Sequence, residues 1–217
     1  MTDDGWSRRL EQLPASAWVL MAANLVPILG IWLFDWDVFS VLLVFWMENI
    51  AIGLVHILRM ATADFARGSV ASKLFLIPFF TVHYGGFALG HGFFVMQFFG
   101  QQEVSLEDPM GLWAIVTEQH LELAGLALLL SHLVSFALND WRRPPTEISP
   151  ARMMKRPYGR VIVLHVTILI GGLLVSVLGS PVWALVPLIL LKTGMDLKAH
   201  LKDHRADAPW RARAALQ

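Results

Sequence analysis

Glu48, His83 and His132 fall near the centres of three different apolar stretches. A carboxylate and two imidazoles form a donor set suited to zinc or ferrous iron. Zinc with an open coordination position brings its bound water toward a pKa of about 7, which is the activation that hydrolysis needs. Glu48 stands beside Asn49 in Phe45-Trp46-Met47-Glu48-Asn49. A carboxylate at the bilayer centre costs about 2.5–3.5 kcal/mol on insertion scales, so it demands a partner. Lys192 and Asp196, on the last apolar stretch, are candidates for that role alongside the histidines. Asp196 and His200 lie one helical turn apart and are the candidate catalytic pair, either binding metal themselves or orienting a ligand histidine. The same groups without a metal can relay protons or hold a cation during transport. In the plainest arrangement Glu48 only balances Lys192.

Depth groups these residues. A helix rises about 1.5 Å per residue, so the count from the nearest basic border measures depth. Glu48 lies 11 residues from Arg59, His83 10 from Lys73, His132 10 from Arg142 and Lys192 10 from Lys202. A second level, nearer the basic side, holds His56, Asn139, His165, Asp196 and His200, while His91, His120 and Glu122 approach the opposite surface. Lys192, Asp196, His200 and His204 follow an i, i+4 stripe that lipid cannot satisfy, so the stripe is expected to face the bundle, with Asp196 inward and His204 reachable by water.

The elements that must position these groups are membrane helices. The chain has 217 residues, 56% hydrophobic and 16% charged, and soluble domains carry about 25% charged residues. Its formal net charge is zero, which gives no argument for nucleic acid, and the lack of cysteine excludes disulfides and thiolate chemistry. The hydrophobic runs predict six spans, at about 17–34, 38–58, 74–99, 121–139, 161–178 and 182–200. Trp18, Trp32 and Trp36 read as interfacial anchors of the first span, and Met110–Val116 as a short interfacial helix. Gly86 and Gly90 form a G-x-x-x-G pair of the kind that lets helices approach closely. Of the 17 lysines and arginines, Lys192 alone lies deep inside a span; the rest fall in the N-terminal tail, the second and fourth connections and the C-terminal end, where Lys198 lies at the last turn of the sixth span. The positive-inside rule therefore puts both termini in the cytoplasm.

The segments Phe45-Trp46-Met47-Glu48-Asn49, His83-Tyr84-Gly85-Gly86-Phe87 and Lys192-Thr193-Gly194-Met195-Asp196-Leu197-Lys198-Ala199-His200 resemble an uncharacterised bacterial multi-pass membrane family, a domain of unknown function. The resemblance implies the bacterial cytoplasmic membrane and assigns no activity. The Asp196…His200…His204 spacing is loosely similar to the last helix of seven-helix membrane metal-hydrolases such as alkaline ceramidases. The expected protein is thus an all-α, six-helix transmembrane bundle over residues 1–204, with a flexible cytoplasmic tail at 205–217. The expected function is zinc-dependent hydrolysis of a lipid-like or membrane-borne substrate, with Glu48, His83 and His132 as metal ligands. The alternative is a proton-coupled transporter or ion-binding membrane protein without enzymatic activity. Membrane lipid and a small lipid-like molecule or ion are the expected partners.

Overall fold

A computed structural model describes residues 25–65, 69–100, 108–141, 149–159, 161–167, 170, 189–195 and 197–198. Among these the chain is helical, with no strand. Asp196, His200, His204, Trp18 and the C-terminal tail lie outside the described residues.

Helix α1 (Val26–Phe34) ends where Asp35 takes a left-handed backbone conformation, φ 52°. Asp37 then starts α2 (Val38–Thr62): its carboxylate accepts from the Ser40 backbone N–H at 2.8 Å, satisfying one of the free donors of the first turn. The turn is fixed from outside as well. Trp36 Nε1 donates to the Gln119 carbonyl at 2.8 Å, and the Ser40 hydroxyl bonds the Gln119 side chain. Trp36, expected at the interface, is instead buried and covers Gly30, whereas Trp32 is 80% exposed. An indole whose N–H has found a protein carbonyl no longer needs the headgroup region.

Helix α3 (Ser69–Phe99) follows, then α4 (Pro109–Glu118), α5 (Leu121–Phe136), a π-helical turn (Ala137–Trp141) and the short α6 (Pro150–Lys155). Asp108 caps α4 by accepting from Gly111 N–H at 3.0 Å. His120, with φ 57°, makes the corner between α4 and α5, whose axes differ by 90°. Helix α4 covers residues 110–116, where a short helix was expected. Residues 161–167 and 189–195 are helical pieces of the expected fifth and sixth spans.

Two helices, α2 and α3, are long and apolar enough to cross a membrane, and α4 with α5 makes a third if that bent pair is one span. Their surroundings differ. In the most apolar stretch of α2, 83% of residues are buried, against 22% in α3. Helix α2 is therefore the central post, apolar on all sides as a surrounded helix must be. Its first half packs Leu42, Leu43 and Phe45 with Val95, Met96, Leu121, Leu128, Leu164 and Ile189. Its other end packs Met60 with Phe65, Leu76, Phe80, Tyr84, Met153 and Val161.

The close approaches of α2 to α3 come from glycines outside the G-x-x-x-G pair. A Cβ at Gly53 would stand 2.6 Å from the Tyr84 ring, and one at Gly92 would stand 2.6 Å from Trp46. Trp46 Nε1 also donates to the Ala88 carbonyl at 2.6 Å, so the indole locks the two helices together. Gly86 and Gly90 have nothing within 4 Å of the added carbon. Accordingly, Gly92→Leu should destabilise the protein by about 1–3 kcal/mol through overpacking, while Gly90→Leu should leave the melting temperature in detergent nearly unchanged.

Candidate polar site between the helices

Glu48 faces inward from the middle of α2 and meets two other helices. Lys192 Nζ lies 2.7 Å from Glu48 Oε2, and both side chains are about 5–6% exposed. His132 Nε2, from α5, lies 3.6 Å from Glu48 Oε1. That separation exceeds a good hydrogen bond, so His132 acts as an electrostatic neighbour, favourable when its ring is protonated. Lys192 Nζ also stands 4.7 Å from the centre of the Phe45 ring, where the π face attracts a desolvated cation. In this low-dielectric setting neither charge of the pair tolerates loss of the other.

Asn49, next along α2, is held by Tyr84 of α3. The Tyr84 hydroxyl lies 2.7 Å from Asn49 Oδ1 and 3.0 Å from the Asn49 carbonyl, which share its single proton. Asn49 Nδ2 is buried and has no hydrogen-bond partner among the described residues. Phe45, Glu48, Asn49, Ile52, Val163, Leu164 and Lys192 line a cavity of about 10 Å³, the scale of a single water. The site is thus narrow and charged.

His83 does not join it. Its Nδ1 lies 2.5 Å from the Tyr158 hydroxyl, and its ring sits between Phe79 and Phe87, with centroids 5.4 and 5.2 Å away. The cause is rotational: neighbouring helix positions differ by about 100°, and Tyr84 rather than His83 occupies the buried stripe with Leu76, Phe80 and Ala88. Of the expected ligand trio the structure brings together Glu48 and His132, and the closest partner of Glu48 is an ammonium. Among the described residues no group of three histidine or acidic side chains is arranged to hold a metal ion. Asp196 and His200, the candidate catalytic pair, lie outside the described residues.

The remaining histidines have definite partners. His56 is buried, stacks near Phe80 at 4.9 Å and donates from Nε2 to the Met153 carbonyl at 3.1 Å. His120 lies 3.7 Å from Glu122 at the rim. His91 and His165, expected at opposite surfaces, are 3.0 Å apart. The depth count failed for His165 because it set the border at Arg160. The segment before Arg160 is drawn into the bundle, with Met153 fully buried, so Tyr158 already stands beside His83. Burial pushes the Tyr158 hydroxyl above its ordinary range.

Sequence reasoning overlooked Tyr84, Tyr158 and Asp140. Asp140, buried in the π-helical turn, accepts from Arg59 Nε at 2.7 Å and ties the end of α5 to the end of α2. The extra residue in each π turn brings Asp140 to that face, and no sequence pattern announces it. The Asn-Asp-Trp sequence after an apolar run was the available signal.

The chain belongs to DUF6498, a family of unknown function whose match covers residues 7–213. No curated protein matches it. No solved structure matches it.

The pair predicts non-additive stability. Lys192→Met alone should cost about 3–5 kcal/mol by leaving a buried carboxylate, and Glu48→Gln together with Lys192→Met should recover most of that loss in thermal unfolding.

Proposed function

We propose that this DUF6498 protein is a six-span protein of the bacterial cytoplasmic membrane, with both termini in the cytoplasm, that binds and exchanges a proton or small cation at Glu48, Lys192 and His132. The observation that carries this reading is the meeting of a carboxylate, an ammonium and an imidazole from three helices beside a cavity only large enough for about one water. Ionisable groups buried in a membrane bundle are costly, and their characteristic uses are proton relay and ion pathways.

The chemistry is an exchange of partners. Protonation of Glu48 cancels the charge that faces the Lys192 ammonium, so the ammonium shifts toward its other partners or sheds its own proton. A cation arriving at Glu48 and His132 does the same by repelling Lys192. Either event couples occupancy of the site to the packing of the sixth span against α2. Phe45 and Asn49, which flank the pair, would feel that movement first.

The competing proposal is a zinc-dependent hydrolase acting on a lipid-like or membrane-borne substrate. Glu48 and His132 would ligate the metal, with Asp196 and His200 as additional groups. It requires Lys192 to withdraw, because an ammonium 2.7 Å from the carboxylate repels a dication.

Purified protein in liposomes loaded with a pH-sensitive dye separates the two. Proton or cation flux that Glu48→Gln abolishes supports the exchange reading. Stoichiometric zinc that disappears in Glu48→Gln and His132→Ala, with no flux, supports the hydrolase. The absence of native cysteine makes labelling of introduced cysteines a clean topology test. Residues 60–72 and 142–160 should label from the cytoplasm and 101–117 from outside.

A further inference from the structure

A second cavity, of about 510 Å³, opens along α3 and is lined by His83, Gly86, Phe87, Gly90, His91, Phe94 and His165. It shares no described lining residue with the Glu48 cavity. Its length is set by two cross-links between α3 and the fifth-span segment: His83 to Tyr158, and His91 to His165. The cross-links are eight residues apart on α3 and seven apart on the other strand of chain, or about 11–12 Å along parallel helices. Between them Gly86 and Gly90 leave a flat stretch of helix backbone with no described residue within 4 Å of either missing Cβ. Phe87 and Phe94 supply aromatic faces. No lysine, arginine or acidic residue is among the described lining residues, which favours a ligand with a neutral head.

The polarity of the hydrogen bonds can be read from chemistry. His91 Nδ1 lies 2.7 Å from the Phe87 carbonyl, which can only accept, so Nδ1 carries the proton. The neutral His91 ring then has a lone pair on Nε2, and it receives the proton of His165 Nδ1 at 3.0 Å. His165 is left with a lone pair on Nε2, for which the described residues provide no partner. At the other end the Tyr158 hydroxyl, which can donate or accept, bonds His83 Nδ1, and His83 Nε2 takes the complementary role, donor when Tyr158 donates and acceptor when it accepts. The cavity therefore presents an acceptor at one end, an imidazole nitrogen of either role at the other and an apolar wall between them.

We propose that this groove binds the reduced, quinol form of a membrane-soluble quinone, with one ring hydroxyl donating to His165 Nε2 and the other pairing with His83 Nε2. A quinol satisfies both ends because each hydroxyl both donates and accepts. A quinone offers two acceptors and leaves His165 Nε2 unanswered. The glycine wall accommodates the flat ring, and the apolar tail extends along the lipid-facing surface of α3, where Val82 and Leu89 are exposed. A phospholipid headgroup fits poorly, since its phosphate finds no cation here.

The test is a titration of the full-length protein in nanodiscs with a short-tailed quinol under reducing conditions, and separately with the matching quinone. Saturable quinol binding, tighter than quinone by about fivefold to tenfold for the one extra hydrogen bond, is expected. Gly90→Leu should abolish binding with an unchanged melting temperature, because the new side chain fills the groove and meets no protein atom. His165→Phe should erase the preference for quinol over quinone while weak ring binding persists. Absence of saturable quinol binding, equal binding by Gly90→Leu, or displacement of quinol by fatty acid or diacylglycerol at comparable concentrations would overturn the assignment.

Discussion

A carboxylate in the middle of a buried membrane helix governs the rest of this structure. Glu48 lies buried in the middle of α2, so the bundle has to bring a cation to it. Lys192 does so at 2.7 Å, and His132 stands at 3.6 Å on the other oxygen. Once that pair is fixed, the helical segment 189–195 must lie against α2 at the level of Phe45 and Asn49, and α5 must present His132 from another side. An ion pair of this kind contributes little net stability over an apolar replacement, but it strongly penalises any arrangement that separates its members. Its structural role is to select one register among helices whose apolar surfaces could slide past one another.

Around that register the packing of α2 and α3 is set by two aromatic clamps. Trp46 against Gly92, with its N–H on the Ala88 carbonyl, and Tyr84 against Gly53, with its hydroxyl on Asn49, bracket the Glu48 level from either side. Both combine a ring lying on a glycine with a polar tip satisfied by the opposite helix. In hydrocarbon the apolar effect does not favour helix association, so close van der Waals contact and hydrogen bonds have to supply it. Below the clamps, α6 and the fully buried Met153 close the other end, and His56 is committed to the Met153 carbonyl.

The helical architecture was legible because hydropathy alone marks α2 and α3, and the Asp35-Trp36-Asp37 turn, the capped helix near residue 110 and the helical nature of 161–167 and 189–195 follow from local pattern. The level of Glu48, His132 and Lys192 was legible too, since rise per residue converts position into depth. Azimuth was not. Whether His83 or Tyr84 faces the core depends on about 100° of rotation, and α3 is apolar nearly all round, so its sequence gives little sign of a preferred face. Depth itself misled at His165, where a buried methionine pulls the preceding loop inward and moves the true border away from Arg160. The π turn that buries Asp140 against Arg59 is a one-residue irregularity invisible to any periodic reading.

The division of polar groups between two places also has a physical logic. The full charges, Glu48 and Lys192, are sealed in the centre, where a cavity of about 10 Å³ admits little. The imidazoles of His83, His91 and His165 line the larger groove beside α3, where about 510 Å³ is available and hydrogen bonds rather than ion pairs set selectivity. Tyr84 and His83, adjacent in sequence, belong to the two sites respectively, one bonded to Asn49 and the other to Tyr158. A rotation of α3 about its axis would strain both bonds at once. The central charge site and the lateral groove are therefore mechanically joined through a single helical turn, and a ligand that fixes the orientation of His83 also fixes the clamp that holds Asn49 beside Glu48.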